Sequence, residues 1–408
     1  MLIDRRSFLA GAAAIAASST ARGAQGTLKQ EPLKIGLLMV KSGPLAAGGK
    51  HMENGLRYFL DERNSELAGR KIELVTADTA GAPPICKSKA EELIERYGVD
   101  VLIGPYTSAE ALAIAGVVEQ AGVPILLSSS GADDLTQRRR SPWIVRSIAT
   151  SSQIGYTLGD YCAKNLKYKK VACIGLDSNY GYEIVGGFQK MLEASGGKVI
   201  QRIWTPFGTT DLAPYVSQLD PGADAFLNCL PGNDTIVCFK LLKEYGLGDG
   251  RGVLCPPGSV DETLLDGMGD EAVGAISCGW YSPTSHAPGA SELEVGFRQK
   301  YKSDPGALST GSMLAGLVLE QALIKLGGNA ADKAALAKAL HEVAIADSPF
   351  GSVKLDEYGN AVLTMYIRRV VRRNGRLANE AIAEVRDVDQ FYKLDPRTQL
   401  ALPPFGRA

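Results

Sequence analysis

Short apolar runs and amphipathic stretches alternate along this chain almost from end to end. Runs of strand character fall at Lys34–Val40, Ile72–Ala77, Val99–Ile103 and Pro124–Leu127. Between them, apolar positions recur at helical spacing over His51–Asn64, Pro84–Tyr97 and Ser108–Ala121. Continuous apolar runs, as opposed to in–out alternation, fit strands covered on both faces. Strands and helices in strict turn predict a parallel sheet, because parallel neighbours need crossover helices.

The rhythm then restarts. A second series of strands is predicted at Lys170–Gly175, Val199–Thr205, Ala225–Leu230, Val253–Cys255 and Ala275–Trp280. Its helices fall near Ser152–Leu166, Tyr182–Ser195, Leu212–Leu219 and Asn233–Tyr245. Two such series predict an α/β chain of two doubly wound, Rossmann-like lobes. Helical patterns at Ser291–Tyr301, Leu308–Leu326 and Asp332–Val343 follow. A hairpin over Asn360–Val371, turning at Asn374-Gly375, comes last.

The first residues say where such a chain works. Asp4-Arg5-Arg6-Ser7-Phe8-Leu9-Ala10 has the form of a twin-arginine export signal, and the apolar run Gly11–Ala17 is too short to span a bilayer. Small residues allow cleavage after Ala21 or Gly23, so residues 1–23 are read as the signal. No cysteine follows the run to take a lipid anchor. The expectation is a soluble protein exported to the periplasm. No later apolar stretch is expected to reach membrane-spanning length.

Composition narrows the possibilities further. An apolar content of 45% in 408 residues supports two full cores, and a net charge of −1 gives no field favouring nucleic acid or an anionic membrane. The seven cysteines include no Cys-x-x-Cys pair and sit mostly in apolar runs. They are read as buried thiols, with one disulfide in the C-terminal half as the alternative. Only three histidines occur, His51, His286 and His341, which supplies neither a zinc site nor a histidine-based triad. There is no phosphate loop, no Gly-x-Gly-x-x-Gly turn and no Gly-x-Ser-x-Gly elbow. No cofactor, no metal and no catalysis are expected. The clusters Arg138-Arg139-Arg140, Arg368-Arg369 and Arg372-Arg373 read as solvated charge, with a partner site for the first and a transporter-docking surface for the pairs as the alternative.

Three loops at predicted strand ends draw notice: Ser42-Gly43-Pro44, Gly104-Pro105-Tyr106-Thr107-Ser108 and Ser128-Ser129-Ser130-Gly131. Ligands in open α/β sheets sit beyond the carboxyl ends of strands. Small hydroxylated residues there bring hydroxyls and helix amides close to an anion. Simple helix capping is the competing explanation.

In order along the chain stand Lys34-Ile35-Gly36, Ser42-Gly43-Pro44, Asn54-Gly55, Asp78, Ile103-Gly104-Pro105 through Ser108, Leu135-Thr136, Arg146-Ser147, and Asp177 through Tyr180-Gly181. As an ordered set, from Leu33 to about Val388, they resemble the periplasmic leucine/isoleucine/valine-binding proteins, the type I solute receptors of ABC importers. The resemblance implies two lobes joined by three crossings that close on a small solute. It implies one lobe from 33–148 plus 283–350, another from 149–282 plus 351–388, and a tail over 389–408. It further implies an inner-membrane ABC permease as partner and a monomeric receptor.

In that family the first lobe holds the ligand carboxylate. Its serine carries over to Ser108, with Tyr106 in the same loop, and its fourth-strand groups to Ser129, Ser130 and Gly131. A family threonine falls on Gly131, where Ser130 could supply the hydroxyl instead. The closing tyrosine carries over to Tyr180. Where amino-acid binders place a glutamate for the ligand ammonium, this chain has Pro256-Pro257-Gly258, and Ser151 replaces a second acid. A buried ammonium without its partner costs roughly 3–5 kcal/mol. Asp234 or Asp261 could supply the charge from a shifted position. Trp280 or Tyr281 is expected to face the cleft and suit an aromatic body, or else to pack in the core or hinge. Lys50 and His51 begin the first helix, where a cation could assist an anion, and Arg146 is expected to make a structural ion pair. The favoured solute is an aromatic or hydrophobic organic acid, with an amino acid as the alternative. A sensor of the same fold and a cleft hydrolase using Ser108 or Asp261 are the other functional readings.

Overall fold

Leu33–Met39, apolar on both faces, becomes the inner strand β1 of a first sheet in the computed structural model, which describes residues 31–407. Around it lie β2 (Glu66–Leu67), β3 (Arg70–Asp78), β4 (Val101–Ile103), β5 (Ile125–Leu127) and β6 (Ile144–Arg146) in the order β2-β3-β1-β4-β5-β6. All pairings are parallel except the small β2–β3 hairpin. The parallel steps are bridged by helices, as at Ser108–Ala121 between β4 and β5, except β5–β6, where a loop with the short 3-10 turn Asp133–Thr136 makes the crossing. The expected export signal lies outside the described residues.

The second sheet begins with β7 (Lys170–Leu176), β8 (Lys198–Thr205), β9 (Ala225–Cys229), β10 (Gly252–Cys255) and β11 (Ile276–Gly279). The chain then returns to the first lobe, where helix Ala307–Lys325 packs on helix Ala46–Asp61. It comes back once more as β12 (Ala344–Ile345), β13 (Val353–Leu355), β14 (Ala361–Arg373) and β15 (Arg376–Val388). The order is β12-β13-β14-β11-β10-β9-β7-β8, with β15 on β14. Three passages therefore join two doubly wound lobes. β12 already pairs within the second sheet. The β14–β15 turn is Asn374-Gly375, both at positive φ (53° and 81°), as a tight right-twisted hairpin requires.

Three expectations need correction. The antiparallel end of the second sheet covers Arg368, which is 1% exposed, hydrogen-bonded to Ser277 Oγ at 3.2 Å and 3.5 Å from Glu262. It is not solvated charge, because β14 lies inside the sheet. Arg138 is only 23% exposed. It pairs with Asp134 at 2.8 Å and donates to the carbonyls of Gln399 and Leu402 at 3.0 and 2.7 Å. That anchor makes the tail a folded strap with its own helix, Pro396–Ala401, whose following Phe405 meets Tyr156. Helix Ala307–Lys325 is long and apolar enough to cross a membrane by composition, yet 78% of its most apolar window is buried. It is the core helix of the first lobe. All seven cysteines are buried and unpaired.

Candidate functional site

The carboxyl ends of the two sheets face each other across a cavity of about 310 Å³. From the first lobe come Tyr106, Thr107 and Ser108 after β4, then Ser129 and Gly131 after β5. The first passage adds Ile148, Ala149 and Ser151, and the start of helix Ala307–Lys325 adds Ala307 and Leu308. The second lobe contributes Ser178 and Tyr180 after β7, Pro231 after β9, Pro257 and Gly258 after β10, and Trp280 after β11. Among the described residues, no Asp, Glu, Lys, Arg or His lines this cavity.

Ser108 is the first residue of a 14-residue helix. Thr107 Oγ1 accepts the Glu110 amide at 3.2 Å, while Glu110 Oε2 accepts the Thr107 amide at 2.8 Å. This reciprocal cap leaves the Ser108 and Ala109 amides without intrahelical partners. The positive end of the helix dipole, two amides and the Ser108 hydroxyl thus face the cavity together. That combination suits a carboxylate.

The loop after β5 is held from behind. Ser129 Oγ donates to the Tyr106 carbonyl at 3.0 Å, tying the two loops together. Arg146, 0% exposed, donates to the Ser130 carbonyl at 3.1 Å and Asn360 Oδ1 at 3.0 Å, and also to the Ala132 carbonyl and Thr136 Oγ1. Burial lowers its pKa to about 10 against the opposing pull of Asp133, Glu183 and Asp356, so it stays charged at neutral pH. Its expected ion pair proves to be a buried charge among neutral acceptors and acids.

Gly131 shows why no side chain stands there. A Cβ at this position would fall 2.4 Å from Ser151 Oγ, and the Gly131 carbonyl accepts the Ser151 amide at 2.8 Å. The hydroxyl beside Gly131 is therefore Ser151. Ser130, offered as the substitute, is 1% exposed and does not line the cavity.

Trp280 faces the cavity and Tyr281 does not. Tyr281 donates to the Ala290 carbonyl at 2.9 Å and packs on Phe350 in the core. Tyr106 and Tyr180 both line the cavity, and burial pushes both phenols up in pKa, so each remains a neutral donor. The Tyr106 hydroxyl is seated over Gly48, where a Cβ would come within 2.6 Å.

His51 is not at the cavity. Its helix starts at Ala46, so His51 sits past the first turn and turns toward Phe297, with Nε2 3.4 Å from Ser303 Oγ. Burial pushes its pKa down. Neither shifted acid reaches the cavity either. Asp261, 1% exposed, accepts the Thr263 amide at 3.0 Å and the Leu308 amide at 3.4 Å, across the lobes. Asp234 stands in the first turn of helix Gly232–Glu244 and does not line the cavity.

Sequence reasoning missed Ser178 as a lining group, and Ser151 lines the cavity where the family resemblance put a replaced acid. Three lining residues carry buried polar atoms without a hydrogen-bond partner: Ser151 Oγ, Ser178 Oγ and Trp280 Nε1. Among the described residues, no group of three or more His, Cys, Asp or Glu side chains is placed to hold a metal.

Two hinged lobes over a small, uncharged, donor-rich cavity define a solute receptor. Residues 32–376 match the family model described as periplasmic binding protein, and the chain belongs to that family. It is 27% identical over 347 residues to the Leu/Ile/Val-binding protein homolog 6 of Brucella suis, covering 83% of this chain and 88% of that one. Among solved structures, it resembles the ABC-transporter solute-binding protein of Rhodopseudomonas palustris BisB5 in complex with 3,4-dihydroxybenzoic acid. That match has a TM-score of 0.83 and 30% identity over 88% of this chain and 99% of the other. A second R. palustris solute-binding protein, in complex with benzoate, matches with a TM-score of 0.80 and 25% identity over 88% and 98%.

Proposed function

We propose that this chain captures a small aromatic carboxylate in the periplasm, by closure of its two lobes, and delivers it to an ABC permease. The observation that carries the reading is a cavity wall without a charged side chain among the described residues, entered by the positive end of helix Ser108–Ala121. A carboxylate is held there by amides and hydroxyls. An α-ammonium finds no counter-anion and binds roughly 100-fold or more weakly for that reason. The volume, at the small end of the usual range of about 300–1,000 Å³, suits a single ring. Trp280, Pro257, Pro231, Leu308 and Ile148 supply apolar walls for its faces. Both R. palustris neighbours hold benzoates, which supports the same ligand class.

In this reading the protein turns nothing over. Among the described residues, no acid or base lines the cavity with Ser108 to activate its hydroxyl. The twin-arginine sequence at Arg5-Arg6 supports export through that route, and the receptor acts as a monomer.

Thermal unfolding in the presence of candidate solutes tests the proposal. Benzoate at 100 times its dissociation constant should add about 2.7 kcal/mol of stability. Benzamide, of the same shape without the charge, should add far less. A shift with leucine and none with any aromatic acid would overturn the assignment.

A further inference from the structure

Trp280 Nε1 is a hydrogen-bond donor with no capacity to accept, and it is buried without a partner on a side chain only 5% exposed. Its residue lines the cavity directly after β11. Ser178 Oγ, also buried and unpartnered, lines the same cavity from the same lobe. Buried donors of this kind are rare, and each has a structural or functional reason. The carboxylate-binding groups, Ser108 and its helix amides, stand on the opposite lobe.

We infer that Trp280 is a specificity-determining donor that selects aromatic acids carrying an oxygen on the ring, on the side away from the carboxylate. The inference rests on the aromatic-carboxylate reading and deepens it. A bare phenyl ring would leave the indole N–H desolvated and unpaired when the lobes close. A ring hydroxyl accepts from Trp280 Nε1 and donates to Ser178 Oγ, satisfying both groups at once. A site built to hydrogen-bond a ligand hydroxyl discriminates strongly against the analogue that lacks it. The ligand class is therefore a para-oxygenated benzoate, 4-hydroxybenzoate or 3,4-dihydroxybenzoate, over benzoate itself.

Titration calorimetry with benzoate and 4-hydroxybenzoate tests this on the native chain and on Trp280→Phe. The native chain should prefer 4-hydroxybenzoate by about 10- to 100-fold, the equivalent of one buried donor gaining its partner. In Trp280→Phe the two acids should bind within about threefold of each other. Equal binding of the two acids by the native chain would overturn the role of Trp280 and leave the aromatic-acid reading standing. So would a loss in Trp280→Phe that falls equally on both acids, because the indole would then serve the shared carboxylate or only packing. Binding of neither acid by the native chain would overturn the aromatic-acid reading itself. Indole NMR on the native protein decides the point even if the variant folds poorly. The Trp280 Nε1 proton should move downfield with 4-hydroxybenzoate and stay with benzoate, and the same shift with both would refute the inference.

Discussion

Arg146→Met should cost the folded protein about 3–5 kcal/mol, the range for removing one member of a buried charged cluster. The guanidinium is 0% exposed and binds four acceptors on three segments: Ser130 and Ala132 after β5, Thr136, and Asn360 between β13 and β14. Methionine fills similar space but leaves those acceptors unpaired and two buried acids without a cation. Burial pushes the Asp133 carboxyl up to about 6 and raises Glu183 well above the usual range. A carboxylate raised in the folded state contributes stability that is complete below its unfolded pKa, about 4, and lost as pH climbs through the folded one. Asp133 therefore loses that contribution between about pH 4 and pH 6. Above pH 6 its charge depends on Arg146 for company. The deficit of the methionine variant should thus be larger at pH 7.5 than at pH 5, where Asp133 carries a proton. Urea unfolding of both proteins at the two pH values measures it. A deficit under about 1 kcal/mol, or one that widens toward acid, would mean that Arg146 is not the keystone of this loop.

Ser108→Asp should separate binding from folding. An acid at the first position of a helix is favourable to its dipole, by about 0.3–1 kcal/mol, so the native fold should keep or slightly raise its melting temperature. The same carboxylate would face the ligand's own carboxylate in a cavity closed to water. Like charges so placed cost several kcal/mol, and affinity for benzoate should fall at least about 100-fold. Ser108→Ala, which removes a hydroxyl but keeps the helix amides, should lose only about tenfold. Calorimetry with benzoate and thermal unfolding of the free proteins give both readouts. Undiminished binding by Ser108→Asp would place the carboxylate elsewhere.

Much of this architecture is written in local pattern. The alternating apolar runs mark β1, β4, β7, β9 and β11, and the Thr107–Glu110 cap marks helix Ser108–Ala121 from its first residue. Asn374-Gly375 announces its hairpin because few other pairs accept two positive φ angles in succession. β6 is different: three residues ending in an arginine carry no periodicity, and only the tertiary network around Arg146 makes them a strand. Arg368 misleads in the same way. Charge on a strand reads as solvent-facing until a partner, here Glu262, is brought beside it by a distant segment.

The site divides similarly. Tyr106 and Ser129 in loops after strands, and Ser108 and Tyr180 in the first turns of the helices that follow strands, stand where the doubly wound topology puts ligands, and all four line the cavity. Ser151 lines it because of a close approach to Gly131 across a passage between lobes, which no local signal encodes. His51 fails for a simple geometric reason. Its helix begins five residues earlier than the apolar pattern indicates, and each residue of shift turns a side chain by about 100°.

The account turns on an absent counter-charge, and one matched pair of ligands isolates it. 3-Phenylpropanoate and phenylalanine share a ring, a chain and a carboxylate, and differ only by the α-ammonium. Calorimetric titration of the native protein should show 3-phenylpropanoate binding at least about 100-fold more tightly, the equivalent of roughly 3 kcal/mol for an unpaired buried cation. Phenylalanine binding as tightly as the plain acid, or more tightly, would contradict the reading, because some anionic group would then be meeting its ammonium inside the cleft.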